Sequence, residues 1–202
     1  MKIFLTFLMI QTLLITALFG QNQHTIKVYF KYGSKPARHF KKTEEKYFGG
    51  IHGGHVSIGV DTAVIGFSFY YGYHIFPNNK KLNGVYNFEG IHKFRKDTVG
   101  FKYTTFQISL TDTQYYKLNT IFNNYLFLRT PYDYALFGMR CAAAAYDVLS
   151  QIGIFKVRSR CGNIISNFYP KLLRKKMFKL AKKNNYTILK HTGRTSRKWE
   201  KD

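Results

Sequence analysis

The stretch Pro131-Tyr-Asp-Tyr-Ala-Leu-Phe-Gly-Met-Arg-Cys141-Ala-Ala-Ala-Ala-Tyr-Asp-Val-Leu149 decides how the rest of the chain is read. It reads as an irregular aromatic loop that runs into a helix. No Gly or Pro interrupts from Arg140 to Gln151, and Gly153 follows as a natural stop. Cys141 then stands at the helix start, where free N–H groups and the helix dipole favour an anion, so its thiol pKa is expected to fall. Ala142 to Ala145 carry little bulk and let the first turn press against a neighbouring sheet. That is an arrangement a cysteine nucleophile needs. Taken alone, the stretch favours a buried structural cysteine on an Ala-rich core helix.

A histidine far upstream gives the thiol a candidate partner. Gly53-Gly-His55-Val-Ser-Ile-Gly-Val60 reads as a strand opened by His55, with Val56, Ile58 and Val60 on the core face and a small polar face opposite. Asp61-Thr62 makes a two-residue turn into a second strand over Ala63 to Phe69. The register that pairs residue 60 with 63 sets Ser68 opposite His55, where its hydroxyl would orient the imidazole. A slip of one residue would put Phe67 or Phe69 there instead.

Length and composition bound the rest. A chain of 202 residues, 45% hydrophobic and 18% aromatic, suits one well-buried domain. Met1 to Gly20 has a basic start at Lys2 and an apolar body, and reads as a signal peptide cut after Gly20, with residues 21–202 as the single domain. An uncleaved membrane anchor is the alternative. The net charge is +22, and +21 without the leader, whose one charge is Lys2. In an exported protein this points to anionic lipid headgroups or wall polymers rather than to nucleic acid. The two cysteines, Cys141 and Cys161, also leave open a disulfide, which would exclude a free nucleophile.

Along the chain, Thr25 to Tyr32 alternates as a first strand, and residues 37–47 read as a polar loop or short helix. Gly84 to Phe94 and Val99 to Leu110 read as two further strands. Thr111-Asp-Thr113 caps a helix to about Leu126. Cys161-Gly162 reads as a basic turn. Pro170 to Lys183 is a helix with an apolar stripe of Leu172, Leu173, Met177, Leu180 and Ala181, and its lysines and Arg174 cover the other faces. A short strand at Tyr186 to Lys190 precedes a polar tail.

The combination of Gly53-Gly-His55-Val-Ser-Ile-Gly-Val60, the strand ending Ile65-Gly-Phe-Ser-Phe69, and Tyr132 to Leu149 around Cys141 resembles the circularly permuted papain-like hydrolases. These form the permuted branch of the NlpC-like superfamily, related in fold to lecithin–retinol acyltransferase. The resemblance covers roughly residues 50 to 155. It implies an α+β domain in which a small antiparallel sheet packs on the helix carrying the cysteine. Carried over by position, it makes Cys141 the nucleophile, His55 the general base and Ser68 the residue in the orienting place. Two positions depart from the family pattern. Arg140 stands where many relatives have Asn, and Ser68 is a weaker orienter than the usual His, Asn or acid.

The implied chemistry is hydrolysis or transfer of an amide or ester through an acyl-thiol, with helix-start N–H groups holding the oxyanion. The substrate would be a cell-wall peptide or a lipid acyl group, and no cofactor is called for. His52 and His55 lie three apart with no acid or cysteine cluster, which argues against a metal. Gly49-Gly50 and Gly53-Gly54 match no nucleotide fingerprint. The competing expectation is a catalytically inactive binding protein of the same fold, recognising an anionic envelope component through its basic surface.

Overall fold

The structure is a computed structural model that describes residues 24–33, 54–72, 74–128 and 130–193. The leader expected at residues 1–20, the stretch 37–47, His52 and the tail beyond 193 lie outside the described residues. Within them, six antiparallel strands form one sheet in the order β4-β3-β2-β1-β5-β6, accompanied by five helices, so the class is α+β. The strands are β1 His24–Lys31, β2 His55–Val60, β3 Ala63–Phe69, β4 Gly84–Gly90, β5 Tyr103–Leu110 and β6 Thr187–His191. The helices are α1 Ile91–Asp97, α2 Asp112–Phe127, α3 Cys141–Gln151, α4 Arg160–Ser166 and α5 Pro170–Asn184.

Strand β1 lies inside the sheet, and its alternation sets the two faces. Ile26, Val28 and Phe30 point to the main core, beside Val56, Ile58 and Val60 of β2 and Phe106 and Ile108 of β5. Each such side chain withdrawn from water stabilises the fold by about 1.5–3 kcal/mol. Helices α2, α3 and α5 cover this face, with Leu118, Leu149, Leu173 and Met177 completing the core. On the opposite face lie Tyr29, Lys31, His55, Ser57 and Val64, and α1 packs there through Phe94. The Lys31 ammonium lies 4.5 Å over the Phe94 ring and 3.8 Å from Glu89 of β4.

The β2–β3 hairpin has the register expected from its two-residue turn. Val60 pairs with Ala63, and Asp61 takes a positive φ of 50°, the left-handed conformation that an Asp tolerates in a tight turn. The β2–β3 ladder runs back to the Ser57–Gly66 pair. Gly54, just ahead of β2, has a φ of +88°, and a Cβ there would lie 2.4 Å from the Lys31 carbonyl oxygen. Only glycine fits that approach.

Four local expectations need correction. The strand expected over Gly84–Phe94 stops at Gly90, whose extended backbone caps α1, because Phe94 then buries its ring 4.4 Å from that of Tyr29. The strand expected from Val99 begins only at Tyr103, since residues 98–101 form a turn closed by Phe101 N–H donating to Thr98 C=O at 3.1 Å. The basic turn at Cys161-Gly162 is part of α4, which Ser159 caps through the Gly162 N–H. In α5, Arg174 is not on the solvated face. Its guanidinium is buried 3.8 Å over the Tyr32 ring, whereas Leu172 of the expected stripe is 37% exposed.

Candidate functional site at the head of helix α3

Helix α3 opens at Cys141 with Arg140 at its N-cap in extended conformation, and no side chain caps the first turn. Ala142 to Ala145 are buried, and the helix packs on β2 and β3. At its far end Gly153, with a φ of +81°, turns the chain, and Ile154 N–H donates back to Leu149 C=O at 2.9 Å. Asn163 of α4 adds a tie from the side, donating to the Ala143 carbonyl at 2.9 Å and accepting from Asn167 at 2.8 Å.

The thiol that this helix presents is buried and unbridged; Cys161 is free and exposed. The N–H groups of Val56, Ala142 and Cys141 itself face the sulfur, as the helix-start argument anticipates. The net shift is nevertheless upward. Burial penalises the thiolate more than the N–H of Val56, the Arg140 charge and the N–H groups of the helix start relieve it. The expected fall in pKa is therefore corrected. The Tyr134 phenol also faces the N–H and thiol of Cys141, its own pKa pushed up by burial and by that thiol. Its ring is wedged between Phe67 at 5.4 Å and Phe69 at 5.1 Å.

Arg140 is spent largely on structure. Its guanidinium stacks 3.8 Å over Phe168 and 5.3 Å over Tyr169, and Nη2 donates to the Phe168 carbonyl. Among the described residues its buried Nε has no hydrogen-bond partner.

His55 lies close to Cys141 along the backbone, since the N–H that faces the sulfur belongs to the next residue. Its ring goes the other way. The imidazole Nε2 lies 2.7 Å from where a Cβ on Gly66 would stand, on the face shared with Ser57 and Lys31. Burial, with the Lys31 charge adding to it, lowers the imidazole pKa to about 3, so the ring is neutral. No hydrogen bond joins it to the thiol of Cys141 among the described residues. Ser68 is engaged elsewhere, its Oγ accepting from Asn87 Nδ2 at 2.6 Å. The structure thus brings the backbone of β2, but neither the ring of His55 nor the hydroxyl of Ser68, to the cysteine. The cause is strand alternation: residue 55 shares a face with 57, whereas α3 covers the face of residue 56.

One pair, a buried Asp133 and a half-buried His74, was missed in the sequence. Asp133 accepts from His74 Nδ1 at 2.6 Å, from Asn83 N–H at 2.9 Å and from Asn78 N–H at 2.8 Å. Burial alone would raise its pKa; these three donors outweigh it and hold the carboxyl below its ordinary value. Backbone bonds from His74 N–H to Tyr134 C=O at 3.1 Å and from Leu136 N–H to His74 C=O at 2.7 Å complete the clasp. The signal available was an acid inside the aromatic run Tyr132-Asp133-Tyr134, which requires donors once it is buried.

The buried thiol of Cys141 thus lies beside the Tyr134 phenol, while the imidazole of His55 lies on the other face of the sheet. Among the described residues no three His, Cys, Asp or Glu side chains gather to hold a metal, and no helix is long and apolar enough to cross a membrane. Compared with protein-family models, curated proteins and solved structures, the chain matches none.

Proposed function

We propose that this chain is a non-catalytic binding protein on a permuted papain-like scaffold, exported behind its Met1–Gly20 leader and recognising an anionic component of the cell envelope. The observation that carries the reading is the orientation of the would-be catalytic pair, with a neutral imidazole on the α1 face and a buried neutral thiol under α3. Charge supports the binding half. Between Asp147 and Glu200 the chain has fourteen Lys and Arg and no acid. Lys156, Arg158, Lys175, Lys179, Lys182, Lys183 and Lys190 from this stretch are exposed. Such a one-signed surface attracts polyanions strongly and in a salt-dependent way.

A second reading, a cysteine amidase or acyl esterase, has one observation in its favour. The sulfur lies at the start of α3 facing the N–H groups of Val56 and Ala142, donors of the kind an oxyanion needs. It requires His55 to turn its ring across the strand edge.

Thiol titration of the native protein separates the two. On the binding reading Cys161 reacts and Cys141 does not until the protein is unfolded, while binding to a sulfated polymer weakens steeply with salt and is unchanged by Cys141→Ala. Rapid alkylation of Cys141 near neutral pH, with an acyl group trapped on it from an envelope fraction, would overturn the binding reading and establish the hydrolase.

A further inference from the structure

Beside the head of α3 a row of aromatic side chains faces solvent. Phe76 is 68% exposed, Ile75 59% and Phe137 54%. The Phe76 and Phe137 rings stack at 5.4 Å, Phe137 continues to Phe168 at 6.3 Å, and Phe168 meets Tyr169 edge-on at 4.8 Å. Contiguous apolar surface of this kind is uncommon on a protein that touches nothing.

The row is also fixed in place. Phe137 N–H donates to Ile75 C=O at 2.9 Å, and Leu136 N–H donates to His74 C=O. The carboxylate of Asp133 holds Asn78 and Asn83 at the two sides of the next turn. At the other end, the Arg140 guanidinium lies flat against Phe168. The backbone and the buried Asp133 carboxylate are therefore spent on holding greasy side chains out in water.

Cations flank both ends. Lys80 and Lys81 are exposed on the turn that follows Phe76. Past Tyr169, helix α5 continues with Leu172, Lys175 and Lys179 on one stripe, all exposed. Aromatic side chains bordered by lysines match the boundary between acyl chains and anionic headgroups, the first inserting shallowly and the second meeting phosphate.

We infer that Ile75, Phe76, Phe137 and Tyr169 form a ridge that docks the protein on an anionic phospholipid bilayer, with Lys80, Lys81, Lys175 and Lys179 on the headgroups. The inference rests on the anion-binding reading and names its partner.

The test is flotation of the full chain with vesicles of phosphatidylglycerol and phosphatidylcholine, and with vesicles of phosphatidylcholine alone, in low and high salt. The wild type is expected on the anionic vesicles. The double variant Phe76→Ser with Phe137→Ser should lose at least tenfold in partitioning while keeping its affinity for a sulfated polymer. Lys175→Glu with Lys179→Glu should weaken the salt-sensitive part of vesicle binding. Both pairs are exposed, and unchanged near-ultraviolet dichroism shows that the fold is intact. Vesicle binding unaffected by the Phe pair overturns the ridge. A wild type that binds the polymer and ignores vesicles overturns the bilayer and leaves the anion-binding reading standing; binding to neither overturns both. A dimer in solution that dissociates in the Phe variant also overturns it, making the ridge a contact between copies.

Discussion

The half-buried neutral imidazole of His55 makes stability depend on pH in a direction that can be worked out. Its pKa is about 3 in the fold against 6.5 for the free group. The unfolded chain takes up a proton below 6.5, while the native ring refuses it until about 3. The stabilisation is therefore fully present above pH 6.5 and is lost as the pH falls through that window. The gap corresponds to a ceiling of roughly 5 kcal/mol, and the partial solvent contact of the residue reduces it to about 2–3 kcal/mol. Urea unfolding of wild type and His55→Asn at pH 7, 5.5 and 4.5 measures it. Between pH 7 and 4.5 the wild type should lose about 2 kcal/mol more than the variant. The carboxyl of Asp147, raised by burial, and the lowered Asp133 titrate in both proteins and cancel from the difference. Parallel pH slopes in the two proteins, or a ring titrating near 6.5 by NMR, would refute the argument and put the imidazole in solvent.

Tyr134→Phe removes the hydroxyl that faces the Cys141 N–H and thiol; the alkylation rate of Cys141 in the native state should rise, and stability should fall by about 1 kcal/mol. Asn163→Ala leaves the Ala143 carbonyl and Asn167 without their partner, so chemical unfolding should show a loss of about 1–3 kcal/mol. Asp133→Asn should be more costly than either, about 2–4 kcal/mol, because the carboxylate serves His74 and two backbone N–H groups at once; thermal melts would show a cooperative transition at lower temperature.

Much of the scaffold was legible because its signals are local. Alternation over Ile26, Val28 and Phe30 marks β1, and the Asp61-Thr62 turn determines which residues of β2 and β3 oppose each other. The cap at Thr111 is equally direct: Gln114 N–H donates to its hydroxyl at 3.3 Å, and Gln114 Oε1 accepts from the Thr111 N–H at 3.1 Å. The site was less legible, since it depends on which face a helix 86 residues away covers. Parity along β2 separates residue 55 from 56, and nothing local tells which of the two faces α3 takes. The thiol pKa went astray for a similar reason. The helix start favours thiolate, but burial under Tyr134 and β2 is a tertiary effect, and it is larger. The clasp between His74 and Asp133 joins residues 59 apart, and neither has a pattern around it that names the other.

The clasp has a mechanical consequence. A single short piece of backbone, residues 133 to 137, carries the acid that grips His74, the phenol that faces the thiol, and a central ring of the aromatic row. Anything that pulls on Phe137 from outside therefore pulls on the stopper over Cys141. Accessibility of that sulfur becomes a gauge, readable with a thiol dye, of whether the surface of the protein has found something to hold.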